Sequence, residues 1–491
     1  MSKQVLVLFL ITLFLFPSSA LAEDVLSLDD FVKTAIKNNP SYQISAKEYL
    51  IALQTNKNAK SIEDWNLIAS GAAVGASAAP SGGFSPTYQQ TLNYSLGLEK
   101  YIAHTGTAVI IEHNNARVSA DYPSITIGGT DVSALFPSSY YASNLSLSIS
   151  QPLLKNAFGL ATRMSLQMSD YALDLADIKL AEDWEDFIAS LHEDYLTWQK
   201  CQKNVNIYQD KVKKVKDQLK LVKQQKRYGL SEDVDLVQIE QKVKAYEILL
   251  EQARMACEAQ TKKILRFSGQ DLSLKVKPAK FTDNNKLPDE TAALNYLATN
   301  SNLKTTAELL VAIQKANLEI KSNATLPEAN LVLQAKPSAF TSGFSDSISK
   351  IGDYNEYTVS VNTSRPIANS QANAEAKQAE EEYSKSLKER DNILLNAAIG
   401  LSTLYTNLEH IDKIIELQGK NLKLAKQRLK LEQQKYRQGR SSVFFTLQAE
   451  DELLLAENAH NDSRFTRKSI VNQINSFTDR YLIKYNDLLR I

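Results

Sequence analysis

From Arg163 to Tyr228 the chain contains neither Pro nor Gly, and Trp184, Phe187, Leu191, Trp198, Cys201, Val205, Tyr208, Val212, Val215, Leu219 and Val222 recur at a 3.5-residue spacing. That spacing is the seam of a coiled coil, and at ~1.5 Å per residue the arm spans roughly 100 Å, far beyond a globular helix of about a dozen residues. Gly229 then breaks the pattern. The seam resumes through Leu236, Ile239, Val243, Tyr246, Leu250, Ala253, Cys257, Gln260, Ile264 and Phe267, so the second arm runs back along the first. Gly suits the break because a residue ending a helix with positive φ is cheap only without a Cβ.

The same hairpin is written again around Gly439. At one fixed offset, and without gaps, Lys213, Lys216, Leu219-Lys220-Leu221, Gln224, Gly229, Ser231, Gln238 and Glu240 match Lys423, Lys426, Leu429-Lys430-Leu431, Gln434, Gly439, Ser441, Gln448 and Glu450. Glu247, Arg254, Ile264 and Phe267 continue the match at Glu457, Arg464, Ile474 and Phe477. The second outgoing arm keeps the seam through Leu394, Ala397, Leu401, Leu404, Leu408, Ile411, Ile415, Leu422, Ala425, Leu429 and Tyr436. Its return arm keeps it loosely. Upstream of the hairpins, Asn39 to Ser61 aligns with Asn300 to Ser322, both helical. The order predicts two internal repeats, 23–280 and 281–491, the first with a hairpin at 163–268 and the second with one at 370–486.

Ahead of each hairpin the period changes from helical to two. Leu92, Tyr94, Leu96 and Leu98 alternate with Asn93, Ser95, Gly97 and Glu99; Leu145, Leu147 and Ile149 alternate with Ser146, Ser148 and Ser150; Tyr357, Val359 and Val361 alternate with Thr358, Ser360 and Asn362. Period-two stretches at 65–78, 88–101, 107–118 and 141–150 make up to four strands within 65–150, and 329–364 holds two more. Residues 120–140, rich in Gly, Ser, Pro and Asp, read as a long loop. Leu26 to Lys60 is helical, opening on Ser27 as an N-cap with Asp29 and Asp30 in the first turn, and Asn39-Pro40 interrupts it, so two helices separated by a turn are expected.

Few strands between long helices leave open sheet edges, which oligomerisation closes. An apolar face backed by Ser, Asn and Thr is what a transmembrane barrel requires, with lipid on one side and water on the other. Residues 1–22, with Lys3, an apolar run from Val5 to Phe16 and Ala20-Leu21-Ala22, have the layout of a secretory signal; the run is short of the roughly 20 residues a bilayer span needs. With 56 basic and 56 acidic residues the net charge is zero, which argues against a nucleic-acid partner. His104, His113, His192, His410 and His460 form no metal-ligand spacing, and no nucleophile elbow, phosphate loop or dinucleotide fingerprint occurs, so neither an enzyme nor a cofactor is expected. A secreted trimeric coiled-coil stalk accounts for the heptads but not for the duplicated strands. A periplasmic adaptor accounts for a hairpin but requires lipoyl-like and small barrel domains.

Taken in order, the opening LDDFVKTAIKNNP, the strand exits Ser150-Gln151-Pro152 and Ser364-Arg365-Pro366, and the turns at Tyr228 to Ser231 and Tyr436 to Gly439, followed by Asp233 to Glu240 and Val443 to Glu450, resemble the TolC-type outer-membrane efflux duct family across the mature chain. The resemblance implies a membrane α+β fold: a homotrimer sharing one outer-membrane β-barrel, continuous with a periplasmic α-helical barrel whose closable tip docks an adaptor protein and an inner-membrane pump. Its usual pattern needs two barrel strands in the first half, where four are legible here. Carried over by position, Tyr436 and Asp235 match a latch tyrosine and its aspartate partner. The basic latch residue falls at Ser441, with Arg440 beside it as a substitute. Two acidic ring positions fall at Phe445 and Gln448, so an aromatic or neutral constriction is expected; the alternative is that Phe444 and Phe445 only pack the turn. The docking surface falls at Gly229, Leu230, Ser231, Gly439, Arg440 and Ser441. Cys201 and Cys257 lie 28 residues before and after Gly229 on the seam, which predicts a disulfide in an oxidising periplasm or a pair of buried thiols filling the seam.

Overall fold

The structure, a computed structural model, describes residues 24–77, 85–124, 126–131, 135–229, 231–282 and 287–485. The secretory signal expected at 1–22 and the docking residue Leu230 lie outside the described residues. In chain order come β1 (Asp24–Leu26), α1 (Leu28–Asn38), α2 (Pro40–Lys60), β2 (Asn66–Ser77), β3 (Tyr88–Ile102), β4 (Thr107–Asp121), β5 (Thr126–Ile127), β6 (Thr130–Asp131), β7 (Ser139–Pro152), α3 (Leu160–Arg227) and α4 (Asp233–Phe267). Then follow β8 (Val276–Pro278), α5 (Glu290–Thr299), α6 (Asn302–Ala324), β9 (Glu328–Thr341), α7 (Phe344–Ser349), β10 (Tyr354–Ser364), α8 (Ser370–Arg437), α9 (Val443–Phe477) and α10 (Arg480–Tyr485). α3 and α8 each have 68 residues and α4 and α9 each have 35, with starts and ends displaced by 210. The chain divides into two compact units, one of residues 1–43, 183–293 and 400–491, the other of 44–182 and 294–399.

The second of these holds a six-stranded antiparallel sheet in the order β10-β9-β7-β4-β3-β2. All four strands legible in the first half therefore pair in one sheet with the two of the second. The register aligns one apolar row across every strand, Leu67, Leu98, Ile111, Leu147, Ala335 and Tyr357. Most of that row is exposed, Leu67 at 75% and Tyr357 at 77%, whereas Ser95 and Ser146, pointing the other way, are buried. Lys100 Nζ lies 5.4 Å over the Trp65 ring at the strand ends nearest the helices. At the opposite end α7 folds onto the sheet, where the fully buried Ser347 hydroxyl meets Asn115 Nδ2 at 3.1 Å and Ser143 Oγ at 2.8 Å. The loop expected at 120–140 carries the small β5-β6 hairpin.

Short helices pin to the long ones the same way in both halves. Lys60, on α2, pairs with Asp170 of α3 at 2.7 Å, and Lys321, its aligned counterpart on α6, pairs with Glu375 of α8 at 2.8 Å. Between β7 and α3 the chain turns through Gly159 at φ +64°, where a Cβ would stand 2.0 Å from the Ala103 carbonyl oxygen, so no other residue fits. α5 and α6 are separated at Asn300-Ser301, where the Ser301 hydroxyl accepts from Lys304 N and starts the second helix.

The other unit buries Phe31, Val32, Ala35 and Ile36 of α1 against Ile188, Leu191, Tyr195, Trp198, Ile264, Tyr481 and Tyr485. Ser27 caps α1 as expected, its hydroxyl accepting from Asp30 N at 3.1 Å. Tyr195 Oη donates to Leu26 O and accepts from Ala279 N, each at 2.8 Å, tying the parallel β1-β8 pair to α3. A second core, of Val212, Val215, Val222, Ile239, Val243, Tyr246 and Leu250, joins α3 and α4 to Tyr436, Val443, Leu447 and Leu454 of the second hairpin.

Candidate functional site: the hairpin turns

Both turns are built alike at the backbone. Gly229 and Gly439 each take φ +69°, donating to Lys226 O and Tyr436 O at 3.0 Å. Nothing lies within 4 Å of the Cβ either would carry, so the demand for Gly comes from the dihedral alone. The return helices start differently. α4 opens on a capping box in which Asp235 Oδ2 accepts from Glu232 N at 3.3 Å and from Ser231 Oγ at 3.1 Å. At the other turn Ser441 Oγ donates instead to Glu432 Oε2 of α8, at 3.1 Å.

Tyr436 is buried, and its hydroxyl donates to Gln225 Oε1 on α3. Within the single chain the Tyr436 hydroxyl thus meets Gln225, while Asp235, matched to it by position, bonds elsewhere. The Asp235 carboxylate is engaged by the N-terminus of its own helix. It still acts at a distance: burial raises the Tyr436 pKa, and the negative charge of Asp235 adds to the rise. Arg440 is exposed. Phe444 and Phe445 stand 55% and 50% exposed with their rings edge to face, so they do not pack the turn; Val443 and Thr446, buried beside them, do. Gln448 is exposed one turn on, its amide donating to Glu452 Oε1 at 3.3 Å. Glu452 in turn pairs with Arg428 of α8. A carboxylate thus stands on the same outward stripe as Phe445 and Gln448, one turn further from the tip and compensated by an arginine.

Behind the turns lies a charged cluster that sequence reasoning missed. Lys211, 3% exposed, pairs with Glu457 at 3.2 Å; Lys242 pairs with Asp451, whose Oδ1 also accepts from Tyr246 Oη at 3.0 Å. Glu450, 4% exposed, has no hydrogen-bond partner for Oε2 among the described residues. Burial pushes its carboxyl up to about 7 against the pull of Lys211. These groups fasten α9 to α3 and α4. Farther along the first hairpin Cys201 and Cys257 are joined sulfur to sulfur, with Cα atoms 5.1 Å apart. Among the described residues no group of three His, Cys, Asp or Glu is placed to hold a metal ion.

Residues 294–478, spanning α5 to the end of α9, match the model of the outer membrane efflux protein family. No curated protein matches the sequence. Among solved structures, the chain is similar to the outer-membrane channel OprN, at 15% identity and TM-score 0.68 over 92% of this chain and 89% of that one. The outer membrane protein VceC of Vibrio cholerae matches at 12% identity and TM-score 0.67, over 92% and 96%. The CmeC outer membrane channel of Campylobacter jejuni matches at 13% and 0.66, over 94% and 90%. The chain therefore has the fold of the TolC-type outer-membrane channels over nearly its whole length, and its second half carries the sequence pattern of the outer membrane efflux proteins. That family is one of channels and not of enzymes.

Proposed function

We propose that this chain is the outer-membrane exit duct of a tripartite efflux or type I secretion system, a passive homotrimeric channel that crosses outer membrane and periplasm and is gated at its hairpin turns. The observation that carries the reading is a sheet with one exposed apolar face, in the same chain as two hairpins of equal arm length. A lipid-facing sheet and a water-filled helical conduit are the two parts such a duct needs. Exposed apolar stripes support the trimer: Ile414, Leu417, Leu424 and Leu431 follow the 3.5-residue spacing on α8, as do Val234, Val237, Ile248 and Met255 on α4. They suit the packing of one copy's second hairpin on the next copy's first. The matched element lengths support an internal duplication with its boundary near 280.

In this reading the turns at Gly229 to Ser231 and Gly439 to Ser441 meet a periplasmic adaptor that links the duct to an inner-membrane pump, and the pump supplies the energy. Phe445 and Gln448 line a neutral constriction, and Cys201–Cys257 is a periplasmic disulfide. Membrane fractionation followed by the mass of the detergent-extracted protein tests the duct, and the expected result is a trimer from the outer membrane. A soluble species or an unassociated monomer would sink the duct and favour a secreted stalk. In planar bilayers Phe445→Asp should raise cation selectivity; an unchanged reversal potential would remove the constriction from Phe445.

A further inference from the structure

The sheet ends in two bare edges. Among the described residues β2 pairs only with β3 and β10 only with β9, and these edge strands are 12 and 11 residues long. β2 is exposed along its whole length and carries no charge or proline, the devices that normally blunt an edge. Its small residues, among them Gly71, Ala72, Ala73 and Gly75, leave its backbone open to a neighbour.

From these edges we infer that β2 of one copy pairs with β10 of the next, closing three copies into an eighteen-stranded barrel of six strands each. The inference rests on the trimeric duct and adds the strand count, which the family resemblance put lower. Three features of the sheet support it. Six is even, so β2 and β10 run in opposite directions, and a ring of identical copies closes with antiparallel pairing throughout. The two edges match in length. Leu67 on β2 and Tyr357, Val359 and Val361 on β10 share one face of the sheet, all exposed in the single copy, with Leu67 and Tyr357 at the two ends of the aligned row; Ile68 and Val74 of β2 lie on the other face. Pairing them prolongs the lipid-facing band around the barrel, while Ser70, Ser95, Asn114 and Asn144 continue the polar face inside. Barrel diameter grows roughly in proportion to strand number, so this barrel is about 1.5 times as wide as one of twelve strands, in the range where barrels keep an aqueous channel.

Disulfide trapping tests the closure. Ser70→Cys on the inner face of β2 is combined in turn with Thr358→Cys, Ser360→Cys and Asn362→Cys on the inner face of β10, with the native cysteine pair left in place. The expected result, after oxidation in outer membranes and boiling in SDS, is a covalent trimer with at least one β10 position and a return to monomer on reduction. Asn114→Cys on β4, paired with the same three positions, should give none. A trimer that cross-links through Asn114→Cys, or through no β2 pair, would overturn the closure and leave the duct standing. Loss of the trimer in the unmodified protein would overturn both. Electron microscopy of the unmodified trimer down its axis gives a second readout independent of the variants, and a ring of twelve-strand width would overturn the inference.

Discussion

The two hairpins have the same arm lengths and the same turn dihedral, yet they sit in opposite surroundings. In the first, Val215, Val222 and Ile239 are fully buried between the arms, and Cys201 and Cys257 join them covalently. In the second, α8 leaves Ile414, Leu417, Leu424 and Leu431 exposed, while α9 turns inward and packs on α4. The aligned positions make the contrast concrete. Where the first hairpin has Cys201 and Cys257, the second has Ile411 and Arg467, and Arg467 pairs with Asp412 at 2.6 Å. Glu240 is half-exposed beside Lys223, whereas Glu450, 210 residues on, is buried. A duplicated sequence thus sets arm length and turn, but the neighbour across the interface decides what each position does. The first hairpin, closed by a covalent bridge, is the candidate post, and the second, held to it by non-covalent contacts among the described residues, the candidate arm.

The contact whose loss should cost most is Lys211. Removing the cation leaves the half-buried Glu457 without its partner and takes away the positive charge beside the buried Glu450. Breaking a fully buried pair from one side costs about 3–5 kcal/mol, and this pair, half-buried on one side, should cost toward the lower end. Lys211→Met should lower the denaturation midpoint and speed hydrogen exchange in α9 more than in α4. Equal effects on both helices would break the distinction between post and arm.

Replacing both cysteines by serine should cost less, on the order of 2–4 kcal/mol, because the bridge closes a long loop whose unfolded ensemble it restricts. Exchange should then rise in α3 and α4 toward the rates of the second hairpin. If the two hairpins exchange equally while the bridge is intact, the post is no more rigid than the arm.

The pH dependences of the two ends of this unit should have opposite signs. Glu450, raised to about 7, is held best while protonated, so its contribution is complete below its unfolded value of 4.5 and is lost as pH rises through about 7. Burial, with Lys484 and Lys468 adding to it, lowers His192 to about 3, and its ring packs 4.4 Å from Tyr481. Its contribution is present above 6.5 and is lost as pH falls toward 3. Glu450→Gln should flatten the loss of α9 protection between about pH 4.5 and 7 and leave the acid limb near α10 unchanged. An unaltered profile between pH 4.5 and 7 would place the titrating group elsewhere.

Much of this was legible in the sequence because it is periodic. The stripe Leu401, Leu404, Leu408, Ile411 and Ile415 is the buried or half-buried side of α8, the glycines turn where the seam stops, and the alternating leucines and serines are strands. What escaped is not periodic. Glu450 aligns with an exposed glutamate, so nothing in its own helix announces burial; that comes from Lys211 and Lys242 on another hairpin. The helix break at Ser301 needed a hydroxyl to compete for one amide. Asp235 was readable as acidic and near the turn, but not as a residue already engaged by its own helix, and Gln225 is one of several glutamines with no pattern to mark it.

That last pair yields the smallest effect and the sharpest test of the tip. Tyr436–Gln225 joins the second hairpin to the first at the turns, and a neutral hydrogen bond is worth about 1 kcal/mol, or about a fivefold change in an equilibrium. Tyr436→Phe keeps the ring in its buried seat and removes only the donor. If the arm moves away from the post to open the duct, Tyr436→Phe should raise the open fraction in bilayer recordings about fivefold. Asp235→Asn should act differently. It weakens the capping box and frays the start of α4, which is read as faster exchange there, and leaves conductance near that of the unaltered chain. Should Asp235→Asn open the channel and Tyr436→Phe leave it closed, the aspartate would be the latch partner in the assembled duct. The Gln225 contact would then belong to the isolated copy alone.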